Sequence, residues 1–420
     1  MDTFIIQGGV PLNGEVAISG AKNAVLPILA ATLLTSEPCV IRRVPDLSDV
    51  HFMGKILQSL GADFTFEDGT VKVHAKRVKT RGDYDLIRKM RGSICILGPL
   101  LGRKGKATVS MPGGCVIGTR PIDLHLKGLR SLSAEVKVRE GYVQVAAKRL
   151  QGNEVFLGGR VGPTVLGTAN TMMAAVLAEG VTVIESAACE PEVVDLAHFL
   201  ISMGAKIQGA GSPRIVVTGV EKLHGAEHEV IPDRIEAATY AIAAAATNGE
   251  VTLTNMRCDH LAAVLDKLKE AGVRFEARGS SLKILSGGEI QAVDVSTQPY
   301  TGFPTDVQAQ LMALMLKASG LSIITERIFE SRFMHANELA RLGADIAIEG
   351  PSAIVRGGAD LSGAEVMASD LRASAALVIA GLMCKGRTQV NRIYHLDRGY
   401  EVMDKKLRSL GARVKRSKEK

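Results

Sequence analysis

The segment TVSMPGGCVIGTRPIDLHL carries the sharpest chemical signal in the chain. An apparent strand runs into Pro112-Gly113-Gly114, which must turn, so Cys115 is expected on a loop rather than in a core. Arg120 lies five residues on and His125 ten. Neighbouring cations lower a thiol pKa and make it reactive. The other five cysteines (Cys39, Cys95, Cys189, Cys258, Cys384) lie in apolar surroundings without such a loop. They form no CxxC pair and are expected to be reduced thiols of a cytoplasmic protein rather than disulfides or a zinc site. The chain has no GxGxxG after a strand and no GxxxxGK[ST], HExxH or GxSxG. Nucleotide-cofactor folds, ATP hydrolysis, zinc hydrolysis and serine hydrolysis are thereby set aside, and no cofactor or metal is expected.

A second set of polar residues falls where apolar helices begin. In order these are Lys22-Asn23, Arg91, Arg160-Val161-Gly162, Asp233-Arg234, Thr305-Asp306 and Asp370-Leu371-Arg372. Arg120-Pro121-Ile122-Asp123, Ser331-Arg332 and Asp397-Arg398 open more polar helices. A helix N-terminus favours anions, and a cation there is unfavourable by up to about 1 kcal/mol. Repetition of the pattern points to a shared anionic ligand.

The elements that must hold these residues form a repeat. Six segments end alike: LGADF, LSAEV, MGAKI, AGVRF, LGADI and LGARV, their second residues at 61, 133, 204, 272, 343 and 411. Each follows an amphipathic helical pattern that the left-handed residue stops. Each is preceded by a more apolar helix, such as NAVLPILAATLL or RIEAATYAIAAAA, and followed by a β-rich run such as FTFEDGTVKVHA. A helix apolar on most faces belongs inside. The expected fold is therefore α/β with helices inside and sheets outside, six units of about 70 residues, three per lobe. Solenoid repeats run about 20–50 residues, so compact lobes are favoured.

The chain has 420 residues with 46% hydrophobic and 23% charged, which excludes disorder. Net charge is +7 with 4% aromatic residues. That combination suits a small anionic substrate better than nucleic acid, which would need stacking platforms. No apolar run is long enough to span a membrane, and the start, MDTFIIQGGVPLNGE, has no signal-peptide pattern.

Taken together, SGAKNAVLPILAA, RKMRGSICILGPL, MPGGCVIGTRPIDLHL, EPEVVDL, PDRIEAATY, GFPTDVQAQ, ESRFMHANEL, SDLRASAALVIAGL and DRGYE make the whole chain resemble the enolpyruvyl transferases. The resemblance implies a two-lobe inside-out α/β barrel. Residues 22–229 would form the lobe with the Cys loop, and 1–21 with 230–420 the other, with the active site in the cleft between. It implies transfer of the enolpyruvyl group of phosphoenolpyruvate to the 3′-hydroxyl of UDP-N-acetylglucosamine, phosphate leaving, in peptidoglycan synthesis. By the same resemblance, Asp306 is the base and Cys115 the acid at C3, open to covalent attack by fosfomycin. Lys22, Arg120 and Arg398 clamp phosphate and carboxylate, with Arg332 and Arg372 as further carboxylate partners. Asn23 bonds the sugar. Arg91, Arg120, Pro121, Ile122, Asp123, Leu124, Gly162 and Ile328 hold uridine diphosphate, and Asp370 positions the Cys loop. The sequence departs from the family pattern at Gly92, Cys95 and Gly159-Arg160. Two alternatives are a shikimate-pathway enolpyruvyl transferase, which lacks the PGGC loop, and a catalytically silent paralogue that binds UDP-N-acetylglucosamine. The second would have lost Cys115, Asp306 or the arginines.

Overall fold

The computed structural model describes residues 2–111, 113 and 121–418. Its described residues divide into two compact units, one of 20–111, 113 and 121–231 and one of 2–19 with 232–418.

In the first unit the inner helices are α1 (Lys22–Ala31), α4 (Leu97–Lys104) and α6 (Val165–Ala175). A 3₁₀ turn, Arg91–Ile96, leads directly into α4. The outer helices are α2 (Ser48–Ser59), α5 (Asp123–Ser131) and α7 (Pro191–Ser202); a short α3 (Tyr84–Ile87) lies between repeats. In the second unit the inner helices are α8 (Arg234–Ala246), α10 (Thr305–Met315) and α12 (Leu371–Met383). The outer ones are α9 (Ala262–Glu270), α11 (Met334–Arg341) and α13 (Met403–Ser409). The inner helices are buried almost all round; in α8 every residue from Ile235 to Ala246 is buried. Its alanines let α8, α10 and α12 pack against one another as a central trio.

In each unit the sheets lie outside that unit's own inner helices, each covering them with one face. In Thr70–His74, Val71 and Val73 are buried while Lys72 is exposed, and Tyr142–Ala146 alternates likewise. Four repeats contribute one strand and a hairpin, completed by a parallel strand from another segment, while Lys106–Ser110, Glu135–Arg139 and Tyr142–Ala146 form a three-stranded sheet with, among the described residues, only the parallel bridge Arg81–Thr108 at that edge. Glu227–Glu229 runs parallel to Pro38–Arg42, and Asn13–Ala17 parallel to Glu250–Thr254. Asp2–Gln7 pairs antiparallel with both Arg387–Asn391 and Arg413–Lys418, filling the place taken elsewhere by the last strand of a repeat.

The six helix stops share one hydrogen bond. The N–H of Ala62, Ala134, Ala205, Val273, Ala344 and Ala412 each reaches the carbonyl five residues back, at 2.9–3.3 Å. This is the Schellman closure, and the residue before it must be left-handed. Gly61, Gly204, Gly272, Gly343 and Gly411 meet that need at φ 80–99°. The second repeat has Ser133 there, forced to φ 65°.

Candidate active site

In the second unit, Asp306 occupies the second residue of α10. Its Oδ1 accepts from Arg332 Nη1 at 2.9 Å and its Oδ2 from Arg372 Nη2 at 3.2 Å. The guanidinium side chains are 7% and 3% exposed and the carboxylate 28%, so Asp306 is the member of the trio most open to water. Arg372 lies over the Tyr400 ring, 5.3 Å from its centroid. Its Nε and Nη1 are buried and without a hydrogen-bond partner among the described residues. Buried donors without acceptors are costly, and donors of this kind suit an incoming anion.

The scaffold behind this trio is Glu326, fully buried. Oε1 accepts from Thr297 Oγ1 at 2.6 Å and from the N–H of Ile328 and Phe329 at 2.8 and 3.0 Å. Oε2 accepts from Thr305 Oγ1 at 2.8 Å, and Thr305 Oγ1 accepts from Arg332 Nη1 at 2.9 Å. One carboxylate thereby fixes Ile328, Thr305 and Arg332. Sequence reading missed it, since its partners Thr297 and Thr305 lie 29 and 21 residues away.

Asp370 is the N-cap of α12, Oδ1 accepting from the N–H of Arg372 and Ala373 at 2.9 and 3.2 Å. Asp233 caps α8 in the same way. At these two helices the helix dipole is met by the protein's own carboxylate, so Asp233 and Asp370 act there as ordinary caps. Arg398 ends the 3₁₀ turn Ile393–Arg398. His395 in that turn is held below its ordinary pKa by burial and then by Arg398, while Asp370 acts in the opposite sense.

In the first unit, Lys22 is the first residue of α1 and its Nζ sits 2.8 Å from Asp49 Oδ2 on α2, both largely buried. Asn23 follows it and is exposed. Arg91 Nη2 donates to the Pro121 carbonyl at 3.3 Å, bringing together two segments expected to hold the nucleotide. Ile122 is the N-cap of α5, Asp123 lies exposed in its first turn and Leu124 is half-buried. Gly159 pairs with Gly162 in a hairpin, and a Cβ on Gly159 would stand 3.0 Å from Leu124 Cδ1. Gly159 therefore packs beside Leu124, with Gly162 as its cross-strand partner. Arg160 and Val161 form the hairpin tip and not the start of α6, which is capped by Thr164. Cys115 and Arg120 lie outside the described residues.

His125 is not the cation the spacing suggested. Burial, and then the charge of Arg91, pushes its pKa down to about 3, so the ring is neutral at ordinary pH. The remaining cysteines are free, and burial pushes their thiols up, Cys95 to about 12 and Cys384 to about 11. Cys189 and Cys258 are only half-buried, in a loop and a 3₁₀ turn rather than in a helix or strand. Among the described residues no helix is long and apolar enough to cross a membrane, and no cluster of three or more His, Cys, Asp or Glu could hold a metal.

A family model described as EPSP synthase (3-phosphoshikimate 1-carboxyvinyltransferase) matches residues 6–407. The chain is 54% identical over 416 residues to a UDP-N-acetylglucosamine 1-carboxyvinyltransferase of Methylacidiphilum infernorum, covering 99% of each. It is 52% identical over 419 residues to the protein of that name from Akkermansia muciniphila, again over 99% of each. Among solved structures it resembles the enolpyruvyl transferase NikO from Streptomyces tendae. The TM-score is 0.91 at 26% identity, over 100% of this chain and 99% of that one. An EPSP synthase from Acinetobacter baumannii shares the fold at TM-score 0.77 and 18% identity, over 100% of both.

Proposed function

The chain belongs to the EPSP synthase family, the enolpyruvyl transferases, and from that premise we propose that it moves the enolpyruvyl group of phosphoenolpyruvate onto the 3′-hydroxyl of UDP-N-acetylglucosamine. One observation carries the residue assignment. Asp306 accepts from Arg332 and Arg372 at a helix start, while the buried Arg372 keeps two further donors unpartnered among the described residues.

The chemistry is addition followed by elimination. The sugar hydroxyl oxygen attacks C2 of phosphoenolpyruvate while its proton passes to Asp306 and C3 gains a proton from Cys115. A tetrahedral ketal forms. C3 then returns a proton to the Cys115 thiolate, the bond from C2 to the phosphate oxygen breaks, and inorganic phosphate leaves with the proton that Asp306 had taken, the enol ether restored. Arg332 holds one Asp306 oxygen and Arg372 the other, so the carboxylate meant to take the hydroxyl proton is anchored on both sides. The two guanidiniums orient that carboxylate before substrate arrives, and general-base catalysis of this kind contributes about 10²- to 10⁴-fold.

Arg372, Arg332 and Arg398 serve the carboxylate and phosphate of the donor, with Lys22 and Arg120; planar guanidiniums pair bidentately with such groups. Asn23 bonds the sugar. Arg91, Arg120, Pro121, Ile122, Asp123, Leu124, Gly162 and Ile328 hold the uridine diphosphate. Asp370 sets the start of α12 and, through it, the Arg372 backbone; near the Cys115 loop it would also steady that segment. The setting is the cytoplasm, which the free thiols suit, and the product feeds peptidoglycan synthesis.

The test is phosphate release from phosphoenolpyruvate by purified protein with and without UDP-N-acetylglucosamine. Release that requires the sugar nucleotide supports the transferase. Binding of the sugar nucleotide without release would leave a silent binder and remove the catalytic roles of Asp306 and Cys115.

A further inference from the structure

Asn170 sits on α6 with no exposed surface. Its Oδ1 accepts from the Gly98 N–H at 2.9 Å, which fixes the orientation of the amide. The amide nitrogen must then donate both its hydrogens, to the Ile94 carbonyl at 2.9 Å and to His125 Nδ1 at 2.9 Å. Nδ1 is thus an acceptor and the imidazole proton sits on Nε2. That tautomer agrees with a ring that burial keeps neutral down to about pH 3.

The three bonded groups belong to two segments. Ile94 lies in the turn that opens with Arg91, and Gly98 is the second residue of the helix that continues it. His125 directly follows Leu124 in the first turn of α5. The approach is close: a Cβ on Gly98 would stand 2.3 Å from the Asn170 carbonyl oxygen and 2.9 Å from Oδ1. At the surface the same segments are joined by Arg91 Nη2 to the Pro121 carbonyl.

The fold itself does not demand this amide. His125 stands eight residues before the left-handed Ser133, and His335 eight before the left-handed Gly343, so the two histidines are equivalent in the repeat. Asn170 stands ten residues before the left-handed Gly180, and Ala376 ten before the left-handed Gly386. The second unit thus has alanine where the first has Asn170.

We propose that Asn170, acting through His125, Ile94 and Gly98, is a positioning residue that sets the spacing between Arg91 and the Pro121–Leu124 segment, and so governs affinity for the sugar nucleotide rather than for phosphoenolpyruvate. The proposal rests on the reading of the site given above. A misplacement of about 1 Å in a positioning group costs on the order of 10²-fold, and the amide bridges both segments, so its loss acts on both contacts together.

The experiment compares wild type, Asn170→Ala and Asn170→Asp. UDP-N-acetylglucosamine binding is measured by calorimetry without phosphoenolpyruvate, KM is measured for each substrate, and thermal melts are recorded. Asn170→Ala should weaken sugar-nucleotide binding and raise its KM by about tenfold or more, with the phosphoenolpyruvate KM within about twofold. In Asn170→Asp the carboxylate still accepts from Gly98 but cannot donate to His125. Binding should be weak at pH 8 and recover toward pH 6, as the carboxylate, against the opposing charge of Arg91, draws a proton onto Nδ1. Wild type and Asn170→Ala should show no such recovery. Folded variants that bind within twofold of wild type, or equal loss for both substrates with a collapsed melt and no recovery in Asn170→Asp, would overturn the proposal. Wild type that binds no UDP-N-acetylglucosamine would instead overturn the reading of the site, and the proposal with it.

Discussion

Replacing Asp306 with Asn tests the base assignment with the least change in shape. The carboxamide can keep an oxygen toward Arg332 Nη1, now 2.9 Å from Oδ1. Its nitrogen then faces Arg372 Nη2 across 3.2 Å, donor against donor. Flipping the amide only moves the conflict to Arg332. In either orientation two guanidiniums, 7% and 3% exposed, lose the carboxylate charge between them. Removing one partner from a buried pair costs about 3–5 kcal/mol, and the 28% exposure of Asp306 places this case toward about 3 kcal/mol. On the reaction, loss of a general base should lower kcat by about 10²- to 10⁴-fold, about 3–5 kcal/mol on the barrier. The assay is phosphate release under saturating substrates, with a urea melt and direct UDP-N-acetylglucosamine binding on the same sample. The expected variant is folded at 25 °C, melts earlier, still binds the nucleotide and barely turns over. A folded Asp306→Asn enzyme with kcat within about tenfold of wild type would refute the base role, whatever its stability.

Ser133→Gly should add about 1 kcal/mol of stability, read as a higher urea midpoint with unchanged slope, because an L side chain in the left-handed region costs about that much and Ser133 is exposed; a lower midpoint would count against the strain argument. His125 and His335 are both neutral in the native state, pushed by burial to about 3 and about 4, while the unfolded chain protonates near 6.5. Below pH 6.5 the unfolded state binds protons the native state refuses, so their contribution is present above that pH and lost as pH falls toward 4 to 3, about 2 kcal/mol per histidine at pH 5. Melts at pH 7.5 and pH 5 should show this drop, and a His125→Gln variant should show less of it; an unchanged difference would remove His125 from the account. The Cys115 thiol should be alkylated by fosfomycin with loss of activity, whereas Cys115→Asp should resist it and retain turnover; complete loss of turnover in the variant would argue against the acid role.

The repeat was legible because it is written in local chemistry. A helical stripe, a left-handed stop and an alternating hairpin are each specified within about a dozen residues, and the Schellman bonds appear wherever the pattern places them. Ser133 was counted as equivalent to five glycines, and it is, at the cost of a positive φ. Charged residues at helix starts were visible for the same reason, yet their partners were not. Asp370 and Asp233 look alike to Asp306 in sequence, but the first two turn back onto their own N–H groups while Asp306 turns to Arg332 and Arg372. That choice depends on groups 26 and 66 residues away. Glu326, Asp49 and Asn170 escaped for the same physical reason, because a buried hydrogen-bonding hub has no periodicity to reveal it. His125 was misjudged because proximity in sequence to Cys115 says nothing of burial.

Whether the arginines around Asp306 serve the fold or the chemistry can be decided from the repeat itself. Arg332 stands eleven residues before the left-handed Gly343, and Ile122 eleven before the left-handed Ser133. Arg372 stands fourteen before Gly386, and Leu166 fourteen before Gly180. The first unit therefore folds with aliphatic residues where the second has guanidiniums, Ile122 buried and Leu166 half-buried. Buried ion pairs seldom stabilise a fold more than well-packed apolar groups of similar size, because desolvation offsets most of their attraction. An Arg–Asp–Arg trio is thus a poor substitute for packing, and the aliphatic positions of the first unit show that the architecture has no need of it. The same reasoning applies to Lys22, a cation at a helix start where the dipole disfavours it, held by Asp49 at 2.8 Å. In both units the charges sit where stability argues against them, which is the pattern expected if, as proposed, they bind an anionic substrate.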